Sequence, residues 1–142
     1  MQDKKRFEFI DLSTADIAFI AYGATVEELF ENAALATFGV MLDTSKIRTE
    51  VEKELTLDGA YLDELMVDWL NELIFLFDAE RVIFSRFSVK VKKDNGYRIE
   101  CKASGEKIKK HRFKAYVKAA TYHMLEVKNL DGGWRAQVVL DV

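Results

Sequence analysis

The sequence contains no proline, one cysteine (Cys101) and two histidines (His111 and His123) in 142 residues. The absence of proline excludes polyproline segments and cis-proline turns, and it favours regular elements joined by short connections. A single cysteine rules out an internal disulfide and fits a reducing, cytoplasmic setting. Cysteine and histidine also lack the paired spacing of a zinc site. No apolar run approaches the ~20 residues needed to span a bilayer; the strongly apolar stretches, such as Leu73–Phe77, are short. The opening Met-Gln-Asp-Lys-Lys-Arg is not followed by the apolar segment of a secretory leader. Gly23, Gly39 and Gly105 are isolated, so no glycine-rich phosphate loop is present, and no G-x-S-x-G elbow occurs.

What is present fits one globular domain over residues 1–142. Hydrophobic residues make up 49% and charged residues 32%. A chain of this length buries roughly 68–70% of its unfolded surface, so its core needs no metal or disulfide. Charge is uneven. Arg86–Lys118 carries twelve basic and three acidic residues, a local net of +9, against -12 for the remainder. Such bipolarity suits a charged partner, or it belongs to solvated strand faces.

Hydrophobic periodicity marks the elements. Arg6–Asp11 and Ala15–Tyr22 read as strands, the second apolar on both faces as in a central strand. Thr25-Val26-Glu27-Glu28 is a capping box. The helix after it places Val26, Leu29, Phe30, Ala33, Ala34, Thr37, Phe38 and Met41 on one stripe and ends near Leu42–Thr44. Ile47–Leu57 alternates as a strand, and Asp58-Gly59 reads as a turn. A second helix carries Leu62, Leu65, Met66, Trp69, Leu70, Leu73, Ile74 and Phe77 on its apolar face. Its opposite face holds Asp63, Glu64, Asp68, Asn71 and Glu72. From Arg81 the period becomes two, with a parity change near Ser85–Arg86 that signals a bulge. Asp94-Asn95-Gly96 is a hairpin turn, and Tyr97–Ala103 is its return strand. Gly105–Arg112 reads as a polar connection or edge strand. Val117–Leu130 and Trp134–Val142 are extended about the Asp131-Gly132-Gly133 turn. The expected class is α+β: a two-layer sandwich of two amphipathic helices on a mainly antiparallel sheet of about seven strands.

The residues that can carry chemistry are few. Ser13, Asp16 and either histidine can be named as a triad, but nothing in their order brings them together. Cys101 lies in a strand pattern, where a buried inert thiol is the default. Asp16 interrupts an apolar strand, and Asp141 follows Val138-Val139-Leu140 beside Val142, whose α-carboxylate is a third anion if the chain ends there. If the first strands pair with the last, these groups converge. They then either cap backbone N–H groups and pair with lysine, or hold a hard cation such as Ca²⁺ or Mg²⁺. The basic segment interleaves Phe87, Tyr97, Phe113, Tyr116 and Tyr122 with lysine and arginine, as an RNA-stacking surface would. No aromatic signature of an RNA-recognition fold accompanies it.

Several motifs then assemble in order along the whole chain. Thr14-Ala15-Asp16-Ile17, Ala21-Tyr22-Gly23 and Glu27-Glu28-Leu29-Phe30-Glu31-Asn32-Ala33-Ala34 resemble the N-terminal signature of the archease family. Leu65 with Asp68-Trp69-Leu70-Asn71-Glu72-Leu73 resembles its second-helix motif. Gly105-Glu106, Val117-Lys118-Ala119-Ala120-Thr121-Tyr122-His123, Trp134 and Asp141-Val142 complete the likeness. The resemblance implies a cytoplasmic, non-catalytic protein that assists the RtcB-type RNA ligase of tRNA splicing and meets tRNA through it, with no membrane partner. It implies promotion of guanylylation of the ligase's active-site histidine, multiple turnover and, in archaeal members, wider nucleotide use. It also implies a divalent metal site, seen with calcium and open to magnesium or manganese, at Asp16, Asp141 and Val142. Lys118 is the next candidate, as a nearby cation. One position departs: the family usually has histidine before Thr-Ala-Asp, and here it is Ser13, which neither titrates near neutral pH nor offers an imidazole. Two competing readings are a stand-alone RNA-binding or chaperone module using residues 86–118, and a metal-dependent phosphoesterase.

Overall fold

Seven strands and two helices build residues 5–142, the part of the chain that the computed structural model describes. Met1–Lys4, from which the leader reading starts, lies outside the described residues. In chain order the elements are β1 (Phe7–Asp11), β2 (Asp16–Gly23), α1 (Val26–Met41), a 3₁₀ turn (Thr44–Lys46), β3 (Val51–Gly59), α2 (Leu62–Glu80), β4 (Val82–Lys93), β5 (Tyr97–Lys107), β6 (Ala119–Leu130) and β7 (Gly133–Asp141). All strand pairs are antiparallel. The α+β class with two helices and seven strands is as expected. The strands, however, form two sheets: four in the order β1-β2-β7-β6 and three in the order β3-β5-β4. α1 packs on β2 and β7 of one sheet and on β4 of the other; α2 packs on β6, β3 and β4.

Local chemistry sets the element ends. The Thr25 hydroxyl accepts from the Glu28 N–H at 3.1 Å and starts α1, one of the four otherwise orphaned N–H groups of a helix start. Arg81 ends α2 in the left-handed region, φ 56°. The β4–β5 hairpin turns on Asn95 and Gly96, both at positive φ. The expected bulge shifts the β4–β5 register between Phe84 and Arg86.

Three boundaries differ from the sequence reading. β3 starts at Val51, because Ile47 drops into the core while the chain is still irregular. β3 also runs through Asp58-Gly59, paired with Arg98 and Tyr97, so the turn comes after it. Gly105–Lys107 is neither connection nor edge: it completes β5, the central strand of its sheet. Glycine is required there, since a Cβ on Gly105 would overlap the Ile83 carbonyl of β4.

The core lies between the helices and the two sheets. Phe38 meets Phe77, Phe84 and Phe87, and Trp69 meets Phe30 and Phe87. The Trp69 indole N–H donates to the Phe30 carbonyl at 3.0 Å, which satisfies a buried donor. Cys101 is buried among them, and burial pushes its thiol pKa up to about 12; the inert-thiol reading holds.

The helices also close open sheet edges. On α1, Glu31 and Glu27 accept from the Val89 and Val91 N–H groups of edge strand β4 at 2.9 and 3.3 Å. On α2, Asn71 takes both main-chain groups of Ala120 in edge strand β6, accepting at 2.8 Å and donating at 3.1 Å. Unpaired edge groups invite intermolecular pairing, and here side chains occupy them. Asn71 is therefore not part of a solvent-facing polar stripe as its position on the helix suggested.

Candidate functional site

The sheet topology decides where the acidic residues go. β2 and β7 are neighbours, and Asp16 stands directly across from Asp141. Opposed residues on antiparallel strands have Cβ atoms ~4.5–5.5 Å apart and share a face, so like charges there repel. Neither carboxylate has an ion-pair partner among the described residues. Both are half-buried.

Two main-chain bonds tie further residues to the same end. The Lys118 N–H donates to the Asp141 carbonyl at 2.7 Å, and the Val142 N–H donates to the Ala15 carbonyl at 2.9 Å. The Lys118 side chain is exposed. Asp16, Asp141, Val142 and Lys118 thus converge at one end of the four-stranded sheet. Ser13 shapes the loop before Asp16: its hydroxyl accepts from the Ala15 N–H at 3.2 Å, and its N–H donates to the Asp16 carbonyl at 3.3 Å.

The donor set is hard oxygen, the chemistry of Ca²⁺ and Mg²⁺. Among the described residues, no three His, Cys, Asp or Glu side chains gather closely enough to hold an ion. The side chains supply only the Asp16–Asp141 pair, so a cation here would need a further donor, such as a main-chain oxygen of the neighbouring Val142. The opposed carboxylates, with no ion-pair partner among the described residues, offer hard-oxygen chemistry of the kind that suits a cation.

The triad does not assemble. The Nε2 of His111 lies 2.7 Å from Glu106, and its Nδ1 accepts from the Lys109 N–H at 2.9 Å. That leaves the proton on Nε2, which donates to Glu106. The His111 contact, together with Glu50 and the Arg48 main chain, holds the buried Glu106 carboxyl below its ordinary pKa. His123 is exposed on β6.

The basic segment divides into two surfaces. On the three-stranded sheet, Lys92, Lys90 and Arg86 stand in rows with Arg98, Glu100 and Ser104, and these face Asp58, Thr56 and Glu52. Arg98 pairs with Asp58 and Lys92 with Glu100. The cationic stripe of β4 is thus flanked by acids on the same sheet, as the solvated-face reading holds. The connection 107–118 is different: Lys107, Lys109, Lys110, Arg112, Lys114 and Lys118 are all exposed, with no acid among those twelve residues. It is pinned by the His111–Glu106 contact, by Lys114 N–H to Met41 carbonyl at 2.7 Å, and by Phe113 and Tyr116 stacked at 4.9 Å against Phe77. The interleaved aromatics divide: Phe87 is core, Phe113 is partly buried, and Tyr116 and Tyr122 are exposed.

The model of the archease protein family matches residues 7–142. The chain belongs to the archease family. The protein archease of Methanosarcina mazei is 48% identical over 142 residues, covering 97% of each chain. That of Methanothermobacter thermautotrophicus is 46% identical over 140 residues, covering 97% of this chain and 99% of the relative. The solution structure of protein 1598 from Methanobacterium thermoautotrophicum superposes with a TM-score of 0.86 at 45% identity, covering 96% of this chain and 99% of that one. A crystal structure described as an archease, possible chaperone, from Thermotoga maritima shares the fold, with a TM-score of 0.64 at 22% identity, covering 100% of this chain and 98% of that one. Among the described residues, no helix is long and apolar enough to cross a membrane.

Two features of this archease were not singled out by sequence reasoning. Asn71 holds β6 where it passes Lys118, and its only signal was a polar residue inside the second-helix motif. The Glu106–His111 contact anchors the basic connection, and its signal was Gly105-Glu106 with a histidine five residues on.

Proposed function

We propose that this archease is a non-catalytic activator of an RtcB-type tRNA-splicing ligase, promoting guanylylation of the ligase's active-site histidine and multiple turnover. The observation that carries this reading is the opposition of Asp16 and Asp141 in a member of this family, with Lys118 and Val142 tied to the same sheet end. Asp16, Asp141 and a main-chain oxygen of Val142 would hold a divalent cation, calcium before magnesium or manganese. When bound, such an ion supplies Lewis-acid charge for phosphoryl oxygens. Asp16 and Asp141 bind rather than transfer protons. Lys118 attracts an anionic group to the same end. Ser13 holds the loop before Asp16 and carries no titrating role. The basic connection 107–118 docks the protein on the ligase or its tRNA.

The test is multiple-turnover ligation of tRNA halves by an RtcB-type ligase with this protein at substoichiometric amounts. Asp16→Asn and Asp141→Asn keep the fold and lose the stimulation. Full stimulation by both variants sinks the proposal. Charge reversal at Lys109 and Lys110 with no change in stimulation removes the docking role. Salt-dependent RNA affinity without any ligase, combined with no ligase stimulation, favours the stand-alone RNA-binding module instead.

A further inference from the structure

A concave surface lies at the opposite end of β2 and β7 from Asp16 and Asp141, where Gly23 pairs with Trp134. It is a groove of about 770 Å³ between the two sheets and the start of α1, within the ~300–1,000 Å³ range of small-ligand sites. Three arginines line it from three places in the chain: Arg6 before β1, Arg86 at the β4 bulge and Arg135 in β7. None has a carboxylate within ion-pair distance among the described residues; Arg135, next to Trp134 in β7, projects from the opposite face of the strand, toward Glu8 and Glu126. Trp134, half-buried, lines the same groove. It shares no residue with the Asp16–Asp141 end.

The lining also holds acids, and they narrow the choice of ligand. Glu31 is committed to the Val89 N–H, and burial raises its pKa. Glu28 and Asp131 remain. A bare polyanion meets these two carboxylates and is repelled. A ligand that carries an anion at one end and hydrogen-bond donors at the other uses both kinds of wall. Planar guanidinium groups match phosphate oxygens in bidentate geometry, and an indole offers a stacking face to any base. We propose that this groove binds a nucleoside phosphate, its phosphate on Arg6 and Arg86 and its base against Trp134. Glu28 and Asp131 accept from sugar hydroxyls or base N–H groups. Free mononucleotide and a nucleotide unit of single-stranded RNA present the same chemistry.

Tryptophan fluorescence reads this directly, because the other tryptophan, Trp69, is 0% exposed and shielded from ligand. The full chain is titrated with adenosine 5′-monophosphate, adenosine, inorganic phosphate and a 5′-phosphorylated oligoadenylate of five nucleotides. Saturable quenching by the monophosphate assigns the site to free nucleotide. Saturable quenching by the oligonucleotide alone assigns it to an RNA strand. Either supports the proposal, provided that Arg86→Ala weakens binding about tenfold, as loss of one charge-assisted contact does, with an unchanged circular dichroism spectrum. Arg6→Ala, at another exposed position, gives the same readout if Arg86→Ala fails to fold. The proposal is overturned if neither nucleotide probe quenches, if adenosine binds as well as its monophosphate, or if the arginine variants bind like the parent.

Discussion

Replacing Asn71 with alanine tests how the Asp16–Asp141 end of the sheet is held. Asn71 makes two hydrogen bonds to Ala120, at 2.8 and 3.1 Å, and Ala120 is 5% exposed. Each bond contributes a net ~0.5–1.5 kcal/mol, so their joint loss costs about 1–3 kcal/mol. Alanine regains roughly 0.5 kcal/mol through its higher helix propensity. The expected net destabilisation is on the order of 0.5–2.5 kcal/mol, a fall in Tm of roughly 2–10 °C for a chain of this size. The effect is also local. Ala120 follows Lys118 and Ala119, and Ala119 pairs with Asp141, so the start of β6 loosens beside the carboxylates. Urea denaturation supplies the magnitude, and amide hydrogen exchange at Ala120 supplies the location. Glu72→Ala, on the same helix, is the control and stays within ~0.5 kcal/mol. A stability change as small as the control, with Ala120 exchange unaltered, refutes the clamp.

The remaining expectations concern charge, acid and the thiol. Because contact with His111 lowers the Glu106 pKa in the folded protein, the stability it contributes is complete above the unfolded carboxyl pKa and is lost as pH falls through the lower folded value. Urea midpoints between pH 5 and pH 3 should therefore fall more steeply for the parent than for Glu106→Gln; equal slopes contradict this. The Cys101 thiol, pushed up to about 12, should react with a disulfide reagent at pH 8 only after denaturant is added, and prompt labelling of the native protein contradicts its burial. Without divalent ions, Asp141→Asn should raise stability by ~0.2–1 kcal/mol by relieving the opposed charge pair. With calcium at about a hundredfold excess over its dissociation constant, the parent should gain roughly 2.7 kcal/mol and the variant little; identical thermal shifts in both oppose the ion site.

Much of the element plan was legible because periodicity and punctuation agreed. The capping box at Thr25, the Asn95-Gly96 turn and the bulge beside Arg86 all appear where local chemistry put them. The division into two sheets was not legible. Period-two patterns define strand faces but not which strands pair, and the alternation that starts at Ile47 does not show that the chain is crossing there to the other sheet. Gly105–Lys107 read as a connection because Gly105 and Glu106 look polar. In the fold, glycine permits close approach to Ile83, and Glu106 is buried against His111. Of the candidate site, the convergence of Asp16 and Asp141 was conditional on a strand pairing, and that pairing is present. The groove around Trp134 was not legible, since its arginines are brought together only by the tertiary fold.

The central claim is that the Asp16–Asp141 end activates a ligase. The most direct measurement is the rate of histidine guanylylation of an RtcB-type ligase, with GTP and a divalent ion, at substoichiometric amounts of this protein. The account predicts acceleration by the parent that is lost in Asp141→Asn, while that variant retains its circular dichroism spectrum and cooperative unfolding. A folded parent protein that leaves the guanylylation rate unchanged, or an Asp141→Asn variant that accelerates it equally, contradicts the account.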